Sequence, residues 1–572
     1  MTYYQITFIN SMKNFVKNIY KEDYKKDGLH ADLEKKFSCK YLQRYFPGME
    51  LLKRKKKIPE QMYTLPTRYT IQEWKEDTGR NTWKIIRGDC ETNKTEEVNM
   101  FIKIAHLLNP IGLIKNEYTT PQHPLLPQCI NAWETTLNKL HNKNNQAYVD
   151  TIANYICSKV REKDIMPNFV LQYGSIVGIS EKYKFCISDE FHTYRMCDWF
   201  WKSIRTQKAF LKFFSNNEDI TDSKKEYLEN NMTCNDNVSV IEISSDTPNN
   251  SEHTKRSHSL SSVSTFNSEC IEYMNTRKSS DDKNADYDSD NSSDTSNSSD
   301  DIDVVLEIPD MPVILICQEA HEGTMDQLLD IEEINGVLRG CKQWENMWRA
   351  WLFQVICTLT FLQKNFNMTH NDLHTNNIVW RNTTQKYLYY GSKDGTVWRV
   401  PTYGKIFSII DFGRAIFQFG KNMWISDDHY PNNDASDQYN FGPFLDKRKK
   451  IVEPNMSFDL CRLAVSLIDG LFETRPKKKK GTKTVLHEEG SYKVMETISP
   501  LFNLLWSYTI DDMGKTVYEN QYGNERYDGF DLYIQIARNV HSAVPEQQLR
   551  KPLFEKYIYK KKNDINKVYM IC

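Results

Sequence analysis

Two short segments in the second half of the chain constrain its fold more than any other feature. The first reads MTHNDLHTNN at residues 368–377, and the second reads SIIDFG at residues 408–413. Asp372 is followed five residues later by Asn377, and Asp411 opens an Asp-Phe-Gly turn. This order and spacing predict a site in which one carboxylate meets a substrate hydroxyl while Asn377 and Asp411 bind divalent metal ions.

Each of these motifs alone is a weak signal. Asp-Phe-Gly is a common turn because Gly adopts positive φ at little cost, and a His-x-Asp-x-His segment also occurs as a metal-ligand cluster. The two motifs in this order, with the apolar residues 406–410 directly before Asp411, favour phosphoryl transfer. That chemistry depends on positioning and charge neutralisation, which hard oxygen ligands and one orienting carboxylate supply.

Length and composition set further limits. The 572 residues exceed what one minimal domain of this kind requires, so we expect insertions or extensions. A net charge of −2 gives no indication of nucleic-acid binding. Thirteen cysteines without a Cys-x-x-Cys pair indicate neither a zinc ribbon nor a disulfide framework. Since we find no signal peptide and no membrane-spanning run, we expect a soluble intracellular protein in a reducing compartment.

Composition sets a basic N-terminal extension and an acidic insertion apart from the rest of the chain, and the order of strands, helices and motifs predicts an α+β protein with two lobes. Residues 1–65 predict a basic N-terminal extension, with nuclear targeting or nucleic-acid contact as the alternative. Residues 66–320 predict a small β-rich N-lobe, residues 321–556 a larger helical C-lobe, and residues 557–572 a C-terminal tail. Within the N-lobe, an acidic, Ser-rich insertion at about 215–305 has too few apolar side chains for a core, so we expect it to be disordered.

One strand and one helix of the predicted N-lobe carry charged candidates. NMFIKIA at residues 99–105 predicts a strand with Lys103, which is either an exposed lysine or a phosphate-pairing one. Apolar residues at helical spacing predict a helix at 146–163. Its middle contains no Glu, so the expected carboxylate partner of Lys103 is Asp150, with Glu134 as the alternative.

Other segments lead towards the two motifs. Residues 313–317 are apolar throughout and predict a buried strand. Residues 348–362 have an apolar face at helical spacing and predict a long helix that ends before the first motif. Between the motifs, residues 387–400 have two strand-like runs around a Lys-Asp-Gly turn and predict an inserted β-hairpin.

The chain resembles a known family at four motifs. THNDLHTNN (369–377), PTYGKI (401–406), IDFGRAI (410–416) and SFDLCRLA (457–464) are similar to segments of the serine/threonine-protein kinases of giant nucleocytoplasmic DNA viruses. The resemblance extends from about residue 98 to 555. It implies a bilobal protein-kinase-like fold that uses ATP and Mg²⁺ to phosphorylate Ser and Thr hydroxyls of protein substrates. No specific nucleic acid or membrane is implied as a partner, and the location would be host cytoplasm or virion.

The same resemblance implies a role for each candidate residue. Asp372 is the catalytic base or hydroxyl-orienting group, and Lys103 and His370 complete the catalytic set. Asn377 and Asp411 are the Mg²⁺ ligands. Backbone groups at the connection between the lobes are expected to face the adenine ring. The residues expected to bind the nucleotide are Lys103, Glu319, His321, Asp326 and Val379.

Three departures from the family pattern leave alternatives open. No Gly-x-Gly-x-x-Gly loop precedes Lys103, which weakens nucleotide binding by backbone amides and keeps a catalytically dead binding module as one alternative. Asn371 stands where many regulated kinases have Arg, and no Ala-Pro-Glu follows. We therefore expect activity without activation-segment phosphorylation, unless Arg414 binds the phosphate. A small-molecule phosphotransferase of the aminoglycoside- or choline-kinase type is the second alternative, although a helix carrying Asp459 below the catalytic loop favours a protein substrate.

Overall fold

The computed structural model describes residues 28–44, 46–52, 65–79, 81–120, 132–215, 218–233, 302–431, 433–480, 485–486, 493–494, 496–520, 522–560, 565 and 567–572. The centre of the predicted insertion, 234–301, lies outside the described residues, as do residues 1–27 and 53–64 of the predicted basic extension. The described chain is a mixed α+β protein with a curled antiparallel sheet and helices, which confirms the predicted α+β class.

The strands are numbered in chain order. They are β1 (Cys39–Gln43), β2 (Tyr69–Gly79), β3 (Thr82–Asp89), β4 (Thr95–His106), β5 (Gln172–Ser180), β6 (Tyr183–Cys186), β7 (Phe210–Ser215), β8 (Glu218–Asp219), β9 (Ile302–Ile308), β10 (Met311–Glu319), β11 (Gly323–Thr324), β12 (Glu333–Ile334), β13 (Val337–Leu338), β14 (Ile378–Asn382), β15 (Tyr387–Gly391), β16 (Val397–Pro401), β17 (Lys405–Ile409), β18 (Ile416–Phe419), β19 (Asn422–Ile425), β20 (Val485–Leu486), β21 (Lys493–Val494) and β22 (Tyr569–Met570).

The helices are numbered in the same way. They are α1 (Gly28–Phe37), α2 (Pro110–Ile114), α3 (Glu134–Leu140), α4 (Gln146–Glu162), α5 (Phe191–Tyr194), α6 (Asp198–Arg205), α7 (Lys225–Thr233), α8 (Lys342–Phe366), α9 (Phe458–Leu471), α10 (Pro500–Tyr508), α11 (Phe530–Asn539) and α12 (Pro545–Gln548). The predicted helices at 146–163 and 348–362 are confirmed as α4 and α8.

The main sheet has the strand order β1-β5-β10-β4-β3-β2 and is antiparallel throughout. Its central strand, β10, is buried along most of its length because its side chains are apolar on both faces. The register places Ile316 of β10 opposite Lys103 of β4. α4 begins after Asn145, whose side chain accepts a hydrogen bond from the Ala147 N–H (3.1 Å) as an N-cap, and it packs against β5.

Part of the predicted N-terminal extension belongs to this sheet, which corrects the expectation for residues 39–43. β1 pairs antiparallel with β5, with Cys39 opposite Ser180. Leu33, Phe46 and Met49 from the same range are fully buried. These apolar residues are few among many lysines. The basic composition of the range therefore gave no indication that these residues pack against the core.

A second sheet, with the order β6-β9-β7-β8, also lies partly in a range predicted to be disordered. β9 begins at residue 302 and buries Val304, Val305 and Leu306. The predicted insertion of 215–305 is therefore corrected at both ends, because β8, α7 and the start of β9 are folded. Apolar alternation at these ends was masked by the acidic composition between them.

The helical part is built around α8. This helix ends at Phe366. The C-terminal cap is Asn367, which adopts a left-handed conformation (φ 47°) that asparagine tolerates. Trp351 is fully buried and its indole N–H donates to the carbonyl of Thr402 (3.0 Å). The chain then enters residues 368–377, so α8 anchors the first sequence motif to the core.

The predicted hairpin between the motifs is confirmed as β15 and β16, which pair antiparallel. β22, in the predicted C-terminal tail, pairs in parallel with β15, and Ile571 is fully buried. This part of the predicted C-terminal tail is thus paired with a strand of the hairpin. β14 and β17 flank the hairpin in the chain and pair antiparallel with each other. This pairing brings the two ends of the inserted hairpin together.

The ten cysteines in the described ranges are free thiols. Within those ranges, none of the helices combines the length and the apolar character needed to cross a bilayer. The predicted division into lobes and the predicted compartment remain predictions.

His106 at the end of β4 generates a pH-dependent prediction. Its ring nitrogens contact the Tyr183 hydroxyl (3.1 Å) and the Gln146 side-chain amide (2.9 Å), and burial lowers the pKa of His106 to about 3. Below the unfolded-state pKa of about 6.5, the unfolded chain therefore binds a proton that the folded chain does not. We expect this site to lower the free energy of unfolding by roughly 2 kcal/mol between pH 7 and pH 5.

The measurement is urea unfolding at pH 7 and pH 5. His106→Gln should reduce the pH-dependent loss, because Gln keeps hydrogen-bonding groups but does not titrate. His192→Gln, at an exposed position, should leave the loss as in the wild type. An identical pH dependence in the wild type and His106→Gln would contradict the prediction.

Candidate functional site

The two sequence motifs lie side by side because β14 and β17 pair directly behind them. Ile378 is opposite Ile409, and the Ile410 N–H donates to the carbonyl of Asn377 (3.1 Å). His370 contacts the carbonyl of Ile410 through Nε2 (2.8 Å). The two motifs, 368–377 and 408–413, are therefore hydrogen-bonded to each other.

Asp459 fixes the backbone of the first motif. Its carboxylate accepts hydrogen bonds from the N–H groups of His370 (2.9 Å) and Asn371 (2.8 Å). Asn371 has a φ of 67°, a conformation that Asn adopts more readily than most residues. Asp459 lies in the first turn of α9 and is buried, and burial raises the pKa of Asp459 against the opposing effect of His370. Asp459 thus lies where the sequence predicted it, on a helix below the first motif.

Lys103 is held between two carboxylates. Its Nζ lies 2.9 Å from Oδ2 of Asp150 and 2.8 Å from Oδ1 of Asp411. Of the two partners left open by the sequence, Asp150 is therefore the one observed, while Glu134 is exposed on α3. Burial alone would lower the pKa of Lys103, but Asp150 and Asp411 outweigh it and raise the pKa of the ammonium.

In this group of three side chains two carboxylates share one ammonium, and burial together with the neighbouring Asp411 raises the pKa of Asp150 against the opposing effect of Lys103. Asp150 also accepts a hydrogen bond from the N–H of Phe412 (2.8 Å), which ties α4 to the second motif. Asp411 has a φ of 63°, a left-handed conformation that directs its carboxylate towards Lys103.

Asp372 is buried and ionised. Its Oδ1 accepts a hydrogen bond from the Tyr533 hydroxyl (2.8 Å) and lies 3.5 Å from Nη1 of Arg414. Burial would raise the pKa of Asp372, but Arg414 and neighbouring groups outweigh it and lower the pKa to about 2. The carboxylate is therefore a proton acceptor at neutral pH.

Asn377 links Asp372 to a neutral histidine. Its side-chain N–H₂ donates to the carbonyl of Asp372 (2.9 Å) and to Nε2 of His374 (3.0 Å). Burial lowers the pKa of His374 to about 4, so the ring accepts this bond in its neutral form. Both hydrogen bonds use the amide nitrogen, which leaves the oxygen of Asn377 as the atom available to a metal ion.

The other predicted nucleotide-binding residues occupy the connection from β10 to β14. The carboxylate of Glu319 is paired with Arg161, with Nη2 of Arg161 at 2.9 Å from Oε1, and its N–H donates to the carbonyl of Leu171 (2.8 Å). The His321 ring packs edge-on against Phe101 at 6.0 Å between centroids. The carboxylate and the N–H group of Glu319 are therefore engaged within the protein.

Asp326 and Val379 lie nearer to the first motif. Oδ1 of Asp326 accepts a hydrogen bond from the hydroxyl of Thr375 (2.5 Å). Val379 is buried in β14, opposite Thr324 of β11 and Ser408 of β17. Asp326 is thus joined to the motif loop by a direct bond, and Val379 joins it through the strand that follows the motif.

The segment after Asp411 is held by its own charged residues. Arg414 and Asp428 form a buried pair, with Nε at 2.8 Å from Oδ2. Asn371 donates to the carbonyl of Arg414 (2.9 Å) and accepts from the Tyr439 hydroxyl (2.7 Å). Because Arg414 is bound to Asp428 and Asp372, it is not available to a phosphate on this segment.

A second ion pair connects the same segment to the β-rich part. Asp427 accepts hydrogen bonds from Nζ of Lys139 (2.8 Å) and from the N–H of Gln146 (3.0 Å). Both charged side chains are largely buried, and burial raises the pKa of Asp427 against the opposing effect of Lys139. α3 and the start of α4 are therefore fastened to the segment that follows Asp411.

A cleft of about 1930 Å³ lies between this segment and α11. One wall is formed by residues between 429 and 457, and the other by residues between 528 and 544. Phe530, Ile534 and Arg538 of α11 line the cleft, on the same helix as Tyr533. The cleft and Asp372 are thus connected through one helix.

Comparison of the chain with protein-family models and with curated proteins finds no match. The structure also shows site residues that sequence reasoning missed, namely His374, Asp428 and Tyr533. His374 lies inside the first motif, so its position there was the available signal. Asp428 and Tyr533 reach the site only through folding, and no local pattern indicates them.

Asp459→Ala tests the role of the carboxylate below the first motif. The change leaves two buried N–H groups without their acceptor, so we expect the free energy of unfolding to fall by about 2–4 kcal/mol. Asp469→Ala, at an exposed position of the same helix, should cost less than about 1 kcal/mol. Both are measured by urea unfolding, and equal losses for the two variants would contradict the assigned role.

Proposed function

We propose that this protein is an ATP-dependent protein kinase that phosphorylates Ser and Thr hydroxyls, with a bilobal protein-kinase-like fold. The observation that supports this most strongly is the contact of Lys103 with both Asp150 and Asp411. In this superfamily the strand lysine, a helix carboxylate and the metal-binding Asp must all be in place for phosphoryl transfer. Here one buried ammonium joins the three elements that carry them.

The arrangement of elements supports the bilobal interpretation. The six-stranded sheet with α4 forms the β-rich part, and α8 to α11 with the motif loops form the helical part. β10 ends at Glu319, and the chain then passes through β11 towards α8. A nucleotide between the two parts would meet Lys103 on one side and Val379 on the other.

The donor set fits Mg²⁺ bound together with a nucleotide. Mg²⁺ is usually held by one or two protein oxygens together with phosphate oxygens and water. Across the residues that the structure describes, His, Cys, Asp and Glu form no group of three or more that would hold a metal ion alone. The amide oxygen of Asn377 and the carboxylate of Asp411 are hard donors of the kind required, and Mg-ATP would supply the phosphoryl group.

The chain's own residues then have defined tasks. Lys103 and the bound metal ions offset negative charge on the phosphates. Asp372, ionised because of Arg414, orients the acceptor hydroxyl and takes its proton. His370 and Asp459 hold the loop that carries Asp372 in one conformation. Positioning and charge neutralisation are the main requirements of this chemistry.

The cleft beside α11 favours a protein acceptor over a small molecule. Its volume of about 1930 Å³ exceeds the ~300–1,000 Å³ of pockets for small ligands. Its walls include both acidic and basic side chains, such as Asp434 and Lys450. A polypeptide segment is large enough to fill such a cleft, and a sugar or choline is not.

Asp411→Asn tests the proposed metal ligand. The change removes the negative charge that holds Mg²⁺ and keeps the side-chain volume, so we expect at least a ~100-fold lower rate of phosphate transfer. The rate is measured with Mg-ATP and dephosphorylated casein, followed by analysis of phosphoserine and phosphothreonine. The melting temperature should change little, since the partner Lys103 keeps Asp150.

Asp394→Asn is the matched control, because Asp394 is exposed and contacts Arg550 away from the motif loops and the cleft. It should transfer phosphate at the wild-type rate. An Asp411→Asn variant that transfers phosphate normally and still requires the metal would rule out the assigned ligand. A wild-type protein that binds Mg-ATP without transfer would favour the catalytically dead module.

The buried pairs of the segment after Asp411 predict activity without phosphorylation of that segment. Arg414 is the basic residue nearest to Asp411 in the sequence that could bind a phosphate on this segment, and it is already paired with Asp428. Phosphatase treatment should therefore leave the initial rate of phosphate transfer within about twofold of the rate of the untreated protein, because no charge-assisted contact is lost. Mass spectrometry must show residues 411–455 free of phosphate, and a loss of activity that rephosphorylation restores would refute the prediction.

A further inference from the structure

Tyr533 brings a hydroxyl group to Asp372 from a distant part of the chain. Its oxygen lies 2.8 Å from Oδ1 of Asp372, within the range at which a general base receives a proton. Burial raises the pKa of Tyr533 to about 12, so the phenol is a neutral donor at physiological pH. The contact is the one that an acceptor hydroxyl must make with this carboxylate.

Asp372 is enclosed while this contact exists. The residue is 1% exposed, and its Oδ2 is buried and receives no hydrogen bond from any described residue. A buried carboxylate oxygen without a partner is unfavourable and calls for an explanation. In this conformation Oδ1 of Asp372 is bonded to the Tyr533 hydroxyl, so an acceptor hydroxyl that bonds to Oδ1 must replace it.

The helix that carries Tyr533 is also a wall of the cleft. α11 begins after Gly529, whose φ is 52°, and Phe530 and Ile534 line the cleft. Arg538 donates to the carbonyl of Asp437 on the opposite wall (2.6 Å). A polypeptide that enters the cleft therefore contacts the helix that closes Asp372.

We propose that Tyr533 is a built-in surrogate for the acceptor hydroxyl, which a protein acceptor entering the cleft displaces from Asp372. This rests on the proposed kinase function. The acceptor oxygen then forms its bond to the γ-phosphorus as the bond from that phosphorus to the β–γ bridging oxygen breaks. ADP leaves, and the proton of the hydroxyl passes to Asp372. Without an acceptor, Tyr533 keeps Asp372 from water and limits wasteful ATP hydrolysis.

Tyr533→Phe removes the hydroxyl and keeps the ring, which packs against Phe458 (5.7 Å) and Phe530 (5.2 Å between centroids). Losing one competing hydrogen bond should lower the KM for dephosphorylated casein by roughly two- to tenfold. ATP hydrolysis without casein should rise by a similar factor, while kcat stays within about twofold. A lower kcat with unchanged KM and unchanged hydrolysis would show a merely structural role and overturn the proposal.

Tyr518→Phe is the matched control. Like the hydroxyl of Tyr533, its hydroxyl donates to a carboxylate. The acceptor here is Asp469, which lies at an exposed position of α9. This variant should keep the wild-type KM, kcat and hydrolysis rate. Tyr533 should also carry no phosphate after incubation of the wild type with Mg-ATP, and phosphotyrosine at 533 would show an acceptor rather than a surrogate.

A second variant acts on the helix without touching Asp372. Arg538→Ala removes the bond from α11 to Asp437 and should raise acceptor-free ATP hydrolysis in the same direction as Tyr533→Phe. Melting temperatures of both variants show whether they are folded. If both are folded and neither raises hydrolysis, the proposal is wrong.

Chemical labelling separates this proposal from the proposed kinase function. Carboxylates are modified with a water-soluble carbodiimide and glycine ethyl ester, without nucleotide, and Asp372 is followed by peptide mass spectrometry. Wild-type Asp372 should be protected, and Tyr533→Phe should increase its labelling several-fold. Equal labelling overturns the surrogate role even if the enzyme is active, whereas increased labelling in a protein without transfer supports the contact and rejects only the kinase function.

Discussion

The contact of one ammonium with two carboxylates determines how the parts of this molecule fit together. Lys103 belongs to the sheet, Asp150 to the helix that packs on it, and Asp411 to the loop after the inserted hairpin. Because all three are largely buried, removal of Lys103 leaves two buried carboxylates without their shared cation, whereas removal of one carboxylate leaves a Lys–Asp pair. The geometry of the site therefore depends on the sheet, the helix and the loop being folded at once.

A second set of buried charges extends this dependence to the segment after Asp411. Asp427 is bound to Lys139, and Asp428 is bound to Arg414, which also faces Asp372. Kinases that are switched by phosphorylation use a modified side chain for such contacts. Here the carboxylates are part of the sequence, and under the proposed function they take the place of an added phosphate.

Local patterns predicted the elements whose signal lies within a short window. The strand at 99–105, the helix at 146–163 and the hairpin at 387–400 were predicted well, because apolar spacing and turn residues determine them. β1 and β9 were not predicted, since both are short, lie beside long charged stretches and become buried only through pairing with distant strands. The same limit applies to the site: spacing alone indicated Asp372 and Asn377, whereas the contact from Tyr533 arises from folding.

The position of β10 has a consequence for how the protein is made. This largely apolar strand pairs with β4 on one side and β5 on the other, yet it follows both in the chain. During synthesis from the N-terminus, the facing edges of β4 and β5 stay unpaired until residues 311–319 leave the ribosome. Unpaired apolar edges invite pairing with other chains. Nascent protein of this kind is thus most exposed to aggregation just before its central strand emerges, and slower translation before residue 311 would lengthen that interval.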